Sequence, residues 1–218
     1  MARTRRDETR SAPKALRKVP KQARAKVTVA AILDAAEQLL AEHGFEGTTT
    51  NAVAERAGVS VGSLYQYFPN KDAIVVAIAD RFADGVLAML DQHIAAAADR
   101  PLVEACHGFV RALVAIHAER PRLHMALAAA LPRIAGIDPL ARYQARVVIR
   151  LRAYLHERRA ELRVADLDTT VFILVHAVQA ATHAAVLYAP ETLPDGRLAA
   201  ALDDLVVRAL GLCEPGDR

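Results

Sequence analysis

The chain has 218 residues, 53% of them hydrophobic but only 5% aromatic, and a net charge of +3. That length buries a sizeable core, and a composition rich in Ala and Leu with no Trp argues for helices packed on helices and against a β-sandwich or barrel. Cys106 and Cys213 lie far apart with no metal spacing between them, which suits a reducing cytoplasm.

The charge is uneven. Residues 1–26 hold ten Lys and Arg against two acids, leaving eighteen basic residues against twenty-three acidic ones in the remainder. No apolar segment follows this basic stretch as it would in a secretory leader. Two readings stay open for it: an arm that meets phosphates or a minor groove, or a solvated leader.

The predicted elements follow in chain order. Val27 to His43 has the apolar spacing of a first helix, with Ile32, Ala36 and Leu39 on one face, and Gly44 ends it. Thr49 caps a second, short helix from Thr50 to Ala57, which Gly58 terminates. Ser60 caps a third over Val61 to Phe68, and Asn70 caps a long fourth from Lys71 to about Ala98. Arg100-Pro101 breaks the chain before a fifth helix, Leu102 to Ala118. A short sixth runs from Pro121 to about Ala130, with a loop from Pro132 to Asp138. Pro139 opens a seventh helix to about Arg159, and Asp166 or Asp168 caps an eighth to Ala189. The ninth spans Arg197 to Leu212. Residues 172–189 are apolar enough to raise the question of a membrane span, but His176, Gln179, Thr182 and His183 favour a buried interface helix.

The second and third helices, joined by a Gly-containing turn, form a DNA-binding helix-turn-helix. The run Ala54-x-x-Ala57-Gly58-Val59-Ser60-x-Gly62-Ser63-Leu64-Tyr65-x-Tyr67-Phe68-x-x-Lys71 resembles the signature of TetR-type (tetracycline-repressor-like) transcriptional regulators. The preceding Ile32-Leu33-x-Ala35-Ala36-x-x-Leu39-Leu40-x-x-x-Gly44-Phe45-x-x-Thr48-Thr49 is similar to that family's first helix, while Thr50 departs from the apolar residue usual there. The resemblance implies an all-α, homodimeric protein. Its parts would be a disordered basic tail (1–25), a DNA-binding head (26–85, recognition helix about 61–68), a ligand-binding and dimerisation bundle (86–212) and a disordered end (213–218).

For DNA, a helix of this length presents only its first turns to the groove, so Val61, Gly62, Ser63 and Gln66 are placed near bases. Gly62 has two open explanations, close backbone approach to DNA or tight packing on the second helix. The resemblance implies that the Tyr65 and Tyr67 hydroxyls meet phosphates, Tyr67 above all. Lys71 at a helix N-terminus would grip another phosphate. Arg24, Lys26, Thr28, Thr49, Thr50, Asn51 and Ser60 complete the candidate set. Val53, Ala54, Leu64 and Phe68 are expected in the core, with Phe45 plugging it.

For a small-molecule effector, polar residues on otherwise apolar faces mark a pocket among helices five to eight. The candidates are His107, Phe109, Arg111, His117, Met125, Tyr143, Arg146, Arg150, Phe172, His176 and Gln179. With Arg and His among them, they fit a mid-sized apolar molecule carrying a polar or anionic group. The resemblance implies that helices eight and nine pair with those of a second copy. Their apolar faces include Val171, Val175, Val178 and Val186 on one helix and Leu198, Leu202, Leu205, Val206, Ala209 and Leu210 on the other. Whether His176 and His183 face the pocket or that interface stays open.

The eight histidines make no i, i+4 pair, so no metal site is expected, and no cofactor. No nucleophile motif, phosphate loop or carboxylate pair points to an enzyme. The expectation is a cytoplasmic, nucleoid-associated repressor that a ligand releases from a palindromic operator. A ligand-dependent activator and a constitutive DNA-binding dimer are the alternatives.

Overall fold

The computed structural model describes residues 23–134, 138–193 and 195–212, and among these it is all helix. The order is α1 (Ala23–Gly47), α2 (Thr50–Arg56), α3 (Val61–Tyr67), α4 (Lys71–Ala96), α5 (Leu102–Ala118), α6 (Pro121–Ile134), α7 (Asp138–Glu157), α8 (Leu167–Tyr188) and α9 (Arg197–Ala209). Short 3-10 turns follow α7 and α8. The N-terminal arm up to residue 22 and residues 213–218 lie outside the described residues.

Side-chain caps set the head's geometry. Thr49, Ser60 and Asn70 each accept a hydrogen bond from a backbone N–H one turn on, at 3.2, 3.1 and 2.8 Å. Each satisfies a donor that a helix start leaves orphaned. Gly44 and Gly58 take the left-handed conformation, φ 67° and 66°, where a Cβ would be strained. At Gly44 this kinks α1, whose last turn then carries Phe45 inward. Asp166 caps α8, through a 3.0 Å bond from the Thr169 N–H.

Two apolar clusters divide the interior. One joins α1 to α4 around Ile32, Leu40, Val53, Leu64 and Phe68, all at most 2% exposed. The other joins α4, α5, α7, α8 and α9 around Leu90, Leu102, Val114, Val171 and Leu210. Helix α4 runs through both.

Several boundaries differ from the sequence expectation, α1 running from Ala23 to Gly47 where Val27 to His43 was expected. Helix α6 continues through Pro132 to Ile134, because Leu131 and Ile134 pack against the head's core. With Leu123, Leu127 and Ala130 also buried there, α6 belongs physically to the head cluster although the sequence places it in the second domain. Helix α8 is the one described helix long and apolar enough to cross a membrane. It packs instead on α5, α6, α7 and α9. The four valines read as its outer face are corrected: Val171, Val175, Val178 and Val186 are all buried within the subunit. Leu202 and Leu210, read as part of the pairing face of α9, are likewise buried; the large apolar residues that α8 leaves exposed are Phe172, Ile173, Leu187 and Tyr188, joined by Leu205 of α9.

Candidate DNA-reading head and ligand cavity

The face of α3 away from the core is built by subtraction. Leu64 and Phe68 are buried and fix the helix on α1, α2 and α4, which leaves Val61, Gly62, Tyr65 and Gln66 exposed. A Cβ on Gly62 would meet nothing nearer than Ser60 Oγ at 4.0 Å. Packing on α2 therefore does not explain this glycine. The Ser60 and Ser63 hydroxyls share a 2.9 Å hydrogen bond, and Thr50 Oγ1 bonds Tyr65 Oη at 3.1 Å, joining the starts of α2 and α3. Thr28 Oγ1 donates to the Arg24 carbonyl at 3.1 Å, and Arg24, Lys26, Thr49 and Asn51 are exposed. Tyr67 is half-buried against the head's core.

Lys71 differs from expectation. Its Nζ donates to the Phe45 carbonyl at 2.7 Å and lies 3.9 Å from the centre of the Phe45 ring. The kink at Gly44 turns that carbonyl and ring toward the start of α4, so the amine staples α1 to α4 instead of reaching outward. Arg56, which no sequence signal singled out, holds both oxygens of Glu42 at 2.8 Å and ties α2 to α1.

Within the second cluster lies a cavity of about 90 Å³. Its walls come from α4, α5, α7, α8 and α9, and its polar groups are His93, Cys106, Tyr143, Tyr154 and Gln179. Burial pushes the Cys106 thiol up to about 12 and raises the Tyr143 phenol as well, so both stay neutral. No Lys, Arg, Asp or Glu lines this cavity.

Of the eleven pocket candidates, Phe109, Tyr143 and Gln179 line the cavity, and the other eight lie outside it. Arg146 and Arg150 turn to solvent and pair with Asp84 and Asp91, both at 2.9 Å, across α7 and α4. His107 Nδ1 stands 3.8 Å from Asp203 Oδ2 at the α5–α9 contact, and Arg111 is exposed. Met125 and Phe172 are exposed too, and His176 is tilted against Phe172 with ring centres 4.2 Å apart. For Arg146 and Arg150 the cause is that a long charged side chain gains more from water and an ion pair than from an apolar cavity. Leu90, His93 and Ile94 of α4 were missed, although their i, i+3, i+4 spacing was a legible signal.

His117 also lies off the cavity. It is 2% exposed and packs with Phe82, His124 and His183, their ring centres 4.5–5.6 Å apart. These three histidines come from three different helices, so sequence spacing could not join them.

Comparison with known proteins matches both halves of this architecture. Residues 32–78 match the family described as bacterial regulatory proteins, tetR family, and residues 101–210 match the tetracyclin repressor-like C-terminal domain. The repressor KstR of Mycolicibacterium smegmatis is 41% identical over 61 residues, 28% of this chain and 30% of that protein. The match spans about a third of the length of such curated relatives. A tetR-family regulator from Mesorhizobium loti superposes with a TM-score of 0.71 at 17% identity, over 87% of this chain and 98% of that one. SmeT, the repressor of the Stenotrophomonas maltophilia multidrug efflux pump SmeDEF, superposes at 0.68 with 24% identity, over 88% and 96%.

Proposed function

This chain belongs to the tetR family of bacterial regulatory proteins, and from that premise we propose that it is a sequence-specific repressor released from DNA by a neutral, largely apolar effector. The observation that carries the DNA half is the bare outer face of α3. Gly62 has free space beside it, Gln66 can read a base edge, and Val61 and Ser63 flank the approach. Tyr65, Tyr67, Thr28, Thr49, Thr50, Asn51 and Ser60 ring that face and suit phosphates. Arg24 and Lys26 would add salt-dependent affinity at the start of α1.

A second copy covers the exposed apolar residues of α8 and α9. Twofold pairing then sets two copies of α3 on two half-sites, so the operator is a palindrome. At about 90 Å³ the cavity is smaller than a drug-sized site of about 300–1,000 Å³, so an effector must push its walls apart. Leu90, His93 and Ile94 put α4 in that wall, and α4 begins directly behind α3. Displacing α4 changes the spacing of the two recognition helices. The effector releases DNA to the degree that it binds the displaced state more tightly. Because the arginines turn away from the cavity, a neutral hydrogen-bonding molecule suits it better than an anion.

Fluorescence anisotropy with the intergenic DNA upstream of its own gene, against a scrambled duplex, tests this reading. Tight binding that the scrambled duplex cannot match is expected, with a palindrome protected in footprinting. Equal affinity for both duplexes across a salt titration overturns it. Melting against neutral hydrophobic compounds, triclosan among them as the compound in the SmeT complex, tests the effector half.

A further inference from the structure

We propose that His117, His124 and His183 form a binding site for a divalent transition-metal ion of the zinc class, separate from the effector cavity. His117 closes α5, His124 lies in the first turns of α6 and His183 sits in the last third of α8. Their candidate ligand atoms all lie within 4.8 Å of one another. Around a tetrahedral zinc with Zn–N of about 2.1 Å, bound nitrogens stand about 3.4 Å apart and ring centres about 5 Å apart. The ring centres here are already 4.5, 4.8 and 5.4 Å apart, so ring rotation and a small approach complete the set.

Two further features point to a ligand. His117 Nδ1 donates to the Leu113 carbonyl at 2.8 Å, which fixes the tautomer and leaves the Nε2 lone pair free. That Nε2 is buried with no hydrogen-bond partner. A phenylalanine would fill the same space without such an orphan. Burial holds all three rings neutral, the form that binds metal. A cleft of about 350 Å³, lined by Asp34, Glu37, Arg81, Arg120, His117 and His124 among others, gives an ion a route in and leaves room for water in the fourth position. Three neutral imidazoles without carboxylate or thiolate favour zinc, nickel, cobalt or copper over magnesium or calcium.

The ion would bind α6 to α5 and α8 next to the junction with the head. Glu37 of α1 accepts from both Arg81 of α4 and Arg120 at the start of α6, and Arg81 also holds Asp34 at 2.7 Å. On the DNA-binding reading above, such an ion is a second effector. The site is tested without DNA, so the two readings fail separately.

Untagged, chelator-treated full-length protein is titrated with zinc by calorimetry and with cobalt by visible absorption. About one equivalent per chain is expected, with the intense visible bands of four-coordinate cobalt. His124→Gln and His183→Gln, each checked for native helix content, lose affinity by at least about tenfold. X-ray absorption on the wild-type zinc complex is expected to show three imidazole nitrogens at about 2.0–2.1 Å, a result that depends on no variant. Absence of stoichiometric binding overturns the proposal, as do unchanged affinity in both folded variants or a shell without three imidazoles.

Discussion

The head and the body solve opposite problems with the same element. The head's short helices are fixed by side-chain caps, glycine turns and a filled core around Leu64 and Phe68, so its proposed reading face is the outside of α3. The body's long helices enclose a cavity and a partly buried histidine cluster, so its proposed sites lie inside, between helices. On the proposed reading a filled-core reader is joined to a cavity-bearing receiver, and α4 contributes to both apolar clusters.

The sharpest way to break that contrast is to empty the head's core. Phe68→Ala is expected to cost about 3–5 kcal/mol in urea unfolding, the range for a buried aromatic in a core that cannot collapse. A loss under about 1 kcal/mol would mean that the core around Phe68 is not tightly filled.

Cys106 probes the receiver. With its thiol pushed up to about 12 by burial, alkylation at pH 8 is expected to run on the order of a thousandfold slower than for a free thiol. A bound effector should slow it further. Fast, effector-insensitive labelling would show the cavity open to solvent.

The histidine cluster gives the contact of α5, α6 and α8 an acid sensitivity. Burial lowers His117 from 6.5 to about 4 and His124 to about 3, so between these values and 6.5 the unfolded chain binds more protons than the folded one. Stability in chelator is expected to be full above pH 6.5 and to fall through that window as the pH drops. His124→Phe should flatten part of the slope. An unchanged slope would place the acid sensitivity elsewhere.

Smallest in stability and most telling in function is Gly62→Ala. The free space beside Gly62 and alanine's higher helix propensity predict unchanged or slightly higher stability. Operator affinity is expected to drop at least about tenfold as the new methyl group holds the backbone off the groove. Unaltered affinity would remove α3's backbone from the interface.

The same contrast governs what the sequence could reveal. Caps and turns act over three or four residues, so Thr49, Gly58, Ser60 and Asn70 announced α2, α3 and α4 almost to the residue. The cavity depends on how five helices rotate about their axes, which apolar spacing leaves undetermined. Arg146 and Arg150 therefore read as pocket residues, although Asp84 and Asp91 draw them to the surface. Lys71 was misplaced for a related reason: the Phe45 carbonyl that it binds is 26 residues away in sequence. The histidine cluster joins α5, α6 and α8, and no local spacing rule reaches that far.

If α3 reads base edges, selection from random duplex DNA will show it. Wild-type protein should enrich two symmetric half-sites, and Gln66→Ala should relax the preference at one equivalent position in each half. No enriched motif, or an identical motif from both proteins, would contradict the assignment of α3 as the reader.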